Sequence, residues 1–121
     1  MKALVVDDSA VMRKVLIGAL SQAGITDVEQ AADGKEAVAA TEKDAFDLVL
    51  MDWNMPNMLG IDALKQIRAN GKTMPVLMVT TEAEKSRVIE ALKSGATNYI
   101  IKPFQPQDIV GKIKDVMAKA G

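Results

Sequence analysis

Asp7 and Asp8, Asp52, Thr80 and Lys102 each stand where an apolar run ends. Three carboxylates brought into one pocket repel, so they take up protons, bind a cation, or both. The chain has no histidine and no cysteine. Oxygen ligands alone suit a hard ion, Mg²⁺ or Mn²⁺. Mg²⁺ typically uses one or two carboxylates plus water and leaves room for a phosphate oxygen. One carboxylate is then spared as a nucleophile, and an aspartyl phosphate is an established covalent intermediate. A lysine can neutralise a phosphoryl oxygen and a threonine hydroxyl can hydrogen-bond another. The chemistry on offer is phosphoryl transfer. Taken singly, an Asp after a strand is a turn residue or a helix cap. It is the coincidence of these groups at successive strand ends that points to a site.

The elements that must position them follow from apolar periodicity. Residues 3–6 read as a strand. Met12, Val15, Leu16, Ala19 and Leu20 then form one helical face, capped by Ser9 and ended near Gly24. Residues 27–31 form a weaker strand, and Asp33 with Glu36 has capping-box spacing before a helix over 34–43. Residues 47–51 are a strand, with an unbroken apolar run over 48–51. A helix over 60–69 turns Ile61, Leu64 and Ile67 inward and stops at Gly71. Residues 75–79 are a strand. Thr81 and Glu84 have capping-box spacing before a fourth helix with Val88, Ile89 and Leu92 inward, ended by Gly95. Residues 98–101 are the fifth strand. Pro106 opens a last helix with a stripe of Ile109, Ile113, Val116 and Met117.

Five strand–helix units in strict alternation predict an α/β, doubly wound, five-stranded parallel sheet with five helices. Covering on both faces explains why the third strand shows no polar alternation. In such sheets ligands bind beyond the strand C-termini where the strand order reverses. If the order is the flavodoxin-like 2-1-3-4-5, the first and third strands are neighbours, and Asp7, Asp8 and Asp52 converge.

The totals agree. The chain has 121 residues, 49% hydrophobic and 26% charged, with a net charge of −1, which suits one soluble domain. Nothing in that balance favours nucleic acid or an anionic membrane surface. Without cysteine there is no disulfide framework, and without histidine there is no Ser-His pair. The first apolar run is too short for a signal-peptide core or a membrane span, so a cytoplasmic location is the expectation.

The motifs "VVDDS" (5–9), "MDWNMP" (51–56), "VTTE" (79–82) and "YIIKPF" (99–104) together resemble the receiver domain of bacterial two-component response regulators. Of that family, "DWNMP" is particularly similar to the single-domain chemotaxis regulators. The resemblance spans the whole chain and implies a single receiver domain over residues 1–121 without an output domain. It further implies that a histidine kinase donates a phosphoryl group to Asp52. Asp8 and Asp52 would ligate Mg²⁺ directly, the Asn54 backbone carbonyl would be a third ligand, and Asp7 would act mainly through water. Lys102 would contact the phosphoryl group, Thr80 would swing toward it, and Tyr99 would change rotamer with it. A cis bond is implied before Pro103. Asn54 and Glu82 hold the positions that tune hydrolysis of the acyl phosphate.

Output would fall to the surface of the fourth helix, fifth strand and fifth helix, which in the family includes the positions of Lys85, Val88, Ala96, Tyr99, Ile101 and Lys112. Implied partners are the kinase, an output protein such as the flagellar motor switch, and a possible dedicated phosphatase, with the protein itself a monomer. Two residues depart from the family pattern. Thr81 stands where a small residue is frequent, and Leu59, before Gly60, replaces an acidic or small one.

Other readings of these residues exist. A relay intermediate would pass the phosphoryl group on to a histidine phosphotransfer protein. A Mg²⁺-dependent small-molecule phosphatase shares the chemistry, but such enzymes place Asp-x-Asp on the first strand, and here the aspartates are adjacent. A flavin binder would need a phosphate cradle after the first strand, where "DDS" repels a phosphate. "GKT" (71–73) lacks the upstream glycine of a phosphate-binding loop, since position 66 is Gln, and it precedes a strand. Of the eight methionines, Met12, Met51, Met78 and Met117 are expected in the core, with Met55 and Met58 partly exposed beside the site loop.

Overall fold

The five apolar runs pair side by side, all parallel, in a computed structural model that describes residues 1–120. In chain order the elements are β1 (Lys2–Val6), α1 (Ala10–Gln22), β2 (Asp27–Ala31), α2 (Gly34–Lys43) and β3 (Leu48–Met51). They continue with α3 (Gly60–Ala69), β4 (Val76–Thr80), α4 (Lys85–Lys93), β5 (Asn98–Ile101) and α5 (Pro106–Ala120). The sheet order is β2-β1-β3-β4-β5, so the reversal lies between β1 and β3, as in flavodoxin-like folds.

Each central strand sends alternate side chains to two separate cores. Leu4, Val6, Val49, Met51, Val76 and Met78 pack under α2, α3 and α4. Ala3, Val5, Leu48, Leu50, Leu77 and Val79 pack under α1 and α5. Every residue of β3 and β4 is buried, which is why their sequences carry no polar alternation.

Local signals explain most helix ends. Ser9 Oγ accepts the Met12 N–H at 3.2 Å, and Asp33 Oδ1 accepts the Glu36 N–H at 2.8 Å. The returning arm of the α2 box goes to Ala32, whose N–H donates to Glu36 Oε1 at 3.2 Å. Helices α1, α3 and α4 run out into Gly24, Gly71 and Gly95, at φ of +88°, +83° and +108°.

The expected pattern fails at a few positions. Thr81 caps nothing: α4 starts at Lys85 with Glu84 at its N-cap and no side-chain cap bond. The chain instead turns at Thr80, whose Oγ accepts the Glu82 N–H at 3.3 Å. Val15 is 43% exposed, Ile89 41% and Leu92 46%. The sheet covers a narrower stripe of α1 and α4 than the sequence suggests, and Ala91 is the buried residue of α4. Met55 is buried against the α2–α4 core, not partly exposed, while Met58 is half-buried as expected and Leu59 is exposed. Strands β3 and β4 begin one residue later than read, because Asp47 and Pro75 lie outside the ladder.

Candidate functional site

Register alone assembles the acidic cluster. Val6 pairs with Met51, so the next residues, Asp7 and Asp52, leave neighbouring strands together. The Asp52 N–H donates to the Val6 carbonyl at 3.0 Å and the Asp7 N–H to the Ala31 carbonyl at 3.1 Å, which fixes both backbones. On the other side Thr80 pairs with Ile101, and the Lys102 N–H donates to the Thr80 carbonyl at 2.8 Å.

Asp7, Asp8 and Asp52 each offer a carboxylate oxygen within 4.8 Å of the others. Asp7 and Asp52 are buried and Asp8 is exposed. Asp7 Oδ1 accepts the Ser9 N–H at 2.9 Å, and its Oδ2 pairs with Lys102 Nζ at 2.8 Å. Asp52 Oδ1 accepts the Trp53 N–H at 2.7 Å, and its Oδ2 lies 3.3 Å from Lys102 Nζ. Burial pushes the Asp52 carboxyl above its ordinary range. Lys102 opposes that shift, Asp7 adds to it, and the Trp53 N–H and Thr80 hydroxyl oppose it. Thr80 is fully buried. The Lys102–Pro103 peptide is cis.

A cluster of all-oxygen donors, short of cationic partners and reached from solvent at Asp8, fits a hard divalent ion. Carboxylate, lysine and threonine in one pocket can bind, hold and neutralise a phosphoryl group.

The two positions singled out for tuning hydrolysis touch: Asn54 Nδ2 donates to Glu82 Oε1 at 3.2 Å. Glu82 also reaches Tyr99, whose Oη donates to the Glu82 carbonyl at 2.6 Å. Burial first, then the Glu82 charge, pushes Tyr99 up to about 12. Tyr99 and Ala96 are buried, with Val88 and Ile101 half-buried against the same core. Lys85 is exposed, and Lys112 Nζ lies 3.5 Å from Asn98 Oδ1.

Several contacts at the site were invisible in the sequence. Arg13 Nη1 donates to the Asp7 carbonyl at 2.7 Å while its Nε donates to Gln30 at 2.9 Å. The Arg87 guanidinium sits 5.7 Å from the Trp53 ring centroid, over the residue beside Asp52. Asn57 Nδ2 donates to Asp33 Oδ2 at 2.6 Å. All but the Arg13–Asp7 bond join residues far apart in the chain. The only sequence trace was a basic residue in a first helical turn, or a cap residue with a second oxygen to spare.

The chain belongs to the response regulator receiver domain family, whose model matches residues 3–114. It is a CheY-like receiver domain, a signalling domain of two-component systems. It is 46% identical to the chemotaxis protein CheY homolog of Campylobacter jejuni (strain NCTC 11168) over 120 residues, 97% of this chain and 92% of that protein. Chemotaxis protein CheY1 of Helicobacter pylori (strain J99) is 47% identical, with 97% of each chain covered. Among solved structures, the Francisella response regulator 1452 receiver domain superposes with a TM-score of 0.90 at 30% identity, covering 99% and 98% of the chains. CheY4 of Vibrio cholerae gives 0.86 at 39% identity, covering 95% and 97%. Among the described residues no helix is long and apolar enough to cross a membrane.

Proposed function

We propose that this protein is a phosphorylation-switched chemotaxis regulator whose phosphoacceptor is Asp52. The observation that carries the reading is the meeting of Asp52 with Lys102, Asp7 and Thr80 at the point where the strand order reverses. A carboxylate oxygen of Asp52 bonds to the phosphorus of a phosphohistidine while the phosphorus–nitrogen bond breaks and the imidazole leaves. Lys102 neutralises a phosphoryl oxygen, and the Thr80 hydroxyl hydrogen-bonds another. Asp8, Asp52 and the Asn54 backbone carbonyl would hold Mg²⁺, with Asp7 acting through water and Mn²⁺ as a substitute. The ion, when bound, neutralises charge on the transferring group.

Phosphorylation then shifts a two-state equilibrium. Thr80 and Glu82 belong to one turn, and Glu82 binds both Asn54 and Tyr99. A change at Asp52 therefore has a short path to the face bearing Lys85, Val88, Ala96, Tyr99, Ile101 and Lys112. The relatives' names support chemotaxis as the pathway, and the flagellar motor switch is the output partner that this reading implies. On this reading the domain's own α4–β5–α5 surface is its output, and it acts in the cytoplasm.

The test is to follow Trp53 fluorescence while Mg²⁺ and then a small phosphodonor are added. A response to each in the native protein, with the second lost in Asp52→Asn, is expected. A second response that persists in Asp52→Asn would refute the assignment.

A further inference from the structure

The loop between β3 and α3 is closed at its base by backbone. The Gly60 N–H donates to the Trp53 carbonyl at 2.8 Å. At its tip the Met58 N–H donates to the Pro56 carbonyl at 2.7 Å, and Asn57 adopts φ of +67°. Asn57 is the one non-glycine residue at positive φ among the described residues. That region is unfavourable for a residue with a Cβ, though least so for Asn, and a contact from outside the loop can hold it there.

Asp33 does so. One of its oxygens caps α2, accepting the Glu36 N–H at 2.8 Å. The other accepts Asn57 Nδ2 at 2.6 Å. These two hydrogen bonds, in that order, hold its carboxyl below the ordinary range. The start of α2 is also seated on the loop tip: a Cβ on Gly34 would stand 2.6 Å from the Met58 carbonyl oxygen. Between the closed base and the anchored tip lies Asn54, itself tied to Glu82.

We propose that Asp33 and Asn57 are positioning residues for the phosphorylation site, fixing from α2 the loop that presents Asn54 to the metal. The inference rests on Asn54 serving as a ligand through its carbonyl. Neither Asp33 nor Asn57 belongs to the acidic cluster, so their effect passes through the loop.

Two substitutions separate the contact from helix capping and from strain. Asp33→Ser keeps a cap oxygen but is too short to reach Asn57. Asn57→Gly removes the contact and suits the positive φ. Asp33→Asn is the conservative control: its oxygen caps, and Asn57 can turn its amide to accept. Mg²⁺ alone is titrated against Trp53 fluorescence, with thermal unfolding in parallel. Asp33→Ser and Asn57→Gly should weaken Mg²⁺ binding about tenfold, the lower end of the loss on removing an outer-shell partner. Asn57→Gly should do so with little change in Tm, and Asp33→Asn should bind close to native. Native affinity in Asn57→Gly would overturn the inference while leaving the metal site intact. A native protein blind to Mg²⁺ would overturn the metal site and the inference with it.

Discussion

Lys102 pairs more closely with Asp7 than with Asp52. Its Nζ stands 2.8 Å from Asp7 Oδ2 and 3.3 Å from Asp52 Oδ2, and the first is the shortest ion pair among the described residues. Asp7 is only 1% exposed, so it depends on that ammonium. Lys102→Met leaves a buried carboxylate without its counter-charge, and the cost should approach about 3 kcal/mol. Urea unfolding at neutral pH without Mg²⁺ measures it, and added Mg²⁺ should restore part of the loss. An unchanged midpoint would mean that the Ser9 N–H suffices for Asp7 without a counter-charge.

Asp52 should show the opposite sign. Burial and Asp7 raise its carboxyl above the ordinary range, so the folded state binds this proton more tightly than the unfolded chain. Its ionised form therefore costs stability above the folded pKa. That cost fades as pH falls through the folded pKa toward the ordinary value of about 3.9. Asp52→Asn should be more stable than the native protein at neutral pH without metal, on the order of 1 kcal/mol. The difference should shrink as pH approaches about 4. Paired urea titrations across that range decide it, and a gap that widens toward acid would contradict burial as the cause of the shift.

Two glycines should respond in opposite ways to the same change. A Cβ on Gly60 would stand 1.7 Å from the Asp52 carbonyl oxygen, against backbone that cannot rotate away. Gly60→Ala should cost about 3 kcal/mol or more and displace the phosphoacceptor strand. Gly111 lies in α5 with nothing within 4 Å of its added Cβ. Gly111→Ala should stabilise by about 1 kcal/mol through helix propensity. Thermal or urea unfolding of the two variants side by side is sufficient.

Tyr99 is the only tyrosine, so its ionisation can be read without ambiguity. Ultraviolet absorbance should show the phenolate with a midpoint near about 12. The folded state holds this proton above the ordinary value of about 10, so stability should fall as pH rises between those values. Tyr99→Phe removes the bond to the Glu82 carbonyl at a cost of about 1 kcal/mol. It should leave Asp52 phosphorylation intact while uncoupling the output face. A midpoint near the ordinary value would place the ring in solvent.

The sheet and the acidic cluster were readable because they follow from one-dimensional patterns. Runs such as 48–51 have no polar alternation, and the site residues stand at or just beyond the ends of such runs. The strand order itself came from the fold class, not from residues. Capping-box spacing misled at Thr81, since the pattern of Thr81 and Glu84 says nothing about the Thr80 side chain turning the chain first. Periodicity placed Val15, Ile89 and Leu92 inward because it reports where apolar residues lie on a helix, not how wide a stripe the sheet covers. Asp33 read correctly as a cap, yet its second oxygen met Asn57, 24 residues on. Arg87 over Trp53 and Arg13 on the Asp7 carbonyl are likewise products of folding, since a basic residue in a first helical turn does not name its partner.

The central claim is that Asp52 is the residue that carries the phosphoryl group. Intact mass after incubation with a small phosphodonor tests it most directly, with and without Mg²⁺, in the native protein and in Asp52→Asn. One added phosphoryl group in the native protein, dependent on Mg²⁺ and absent from Asp52→Asn, is the expected result. The same addition in Asp52→Asn would contradict the claim and move the chemistry to another residue.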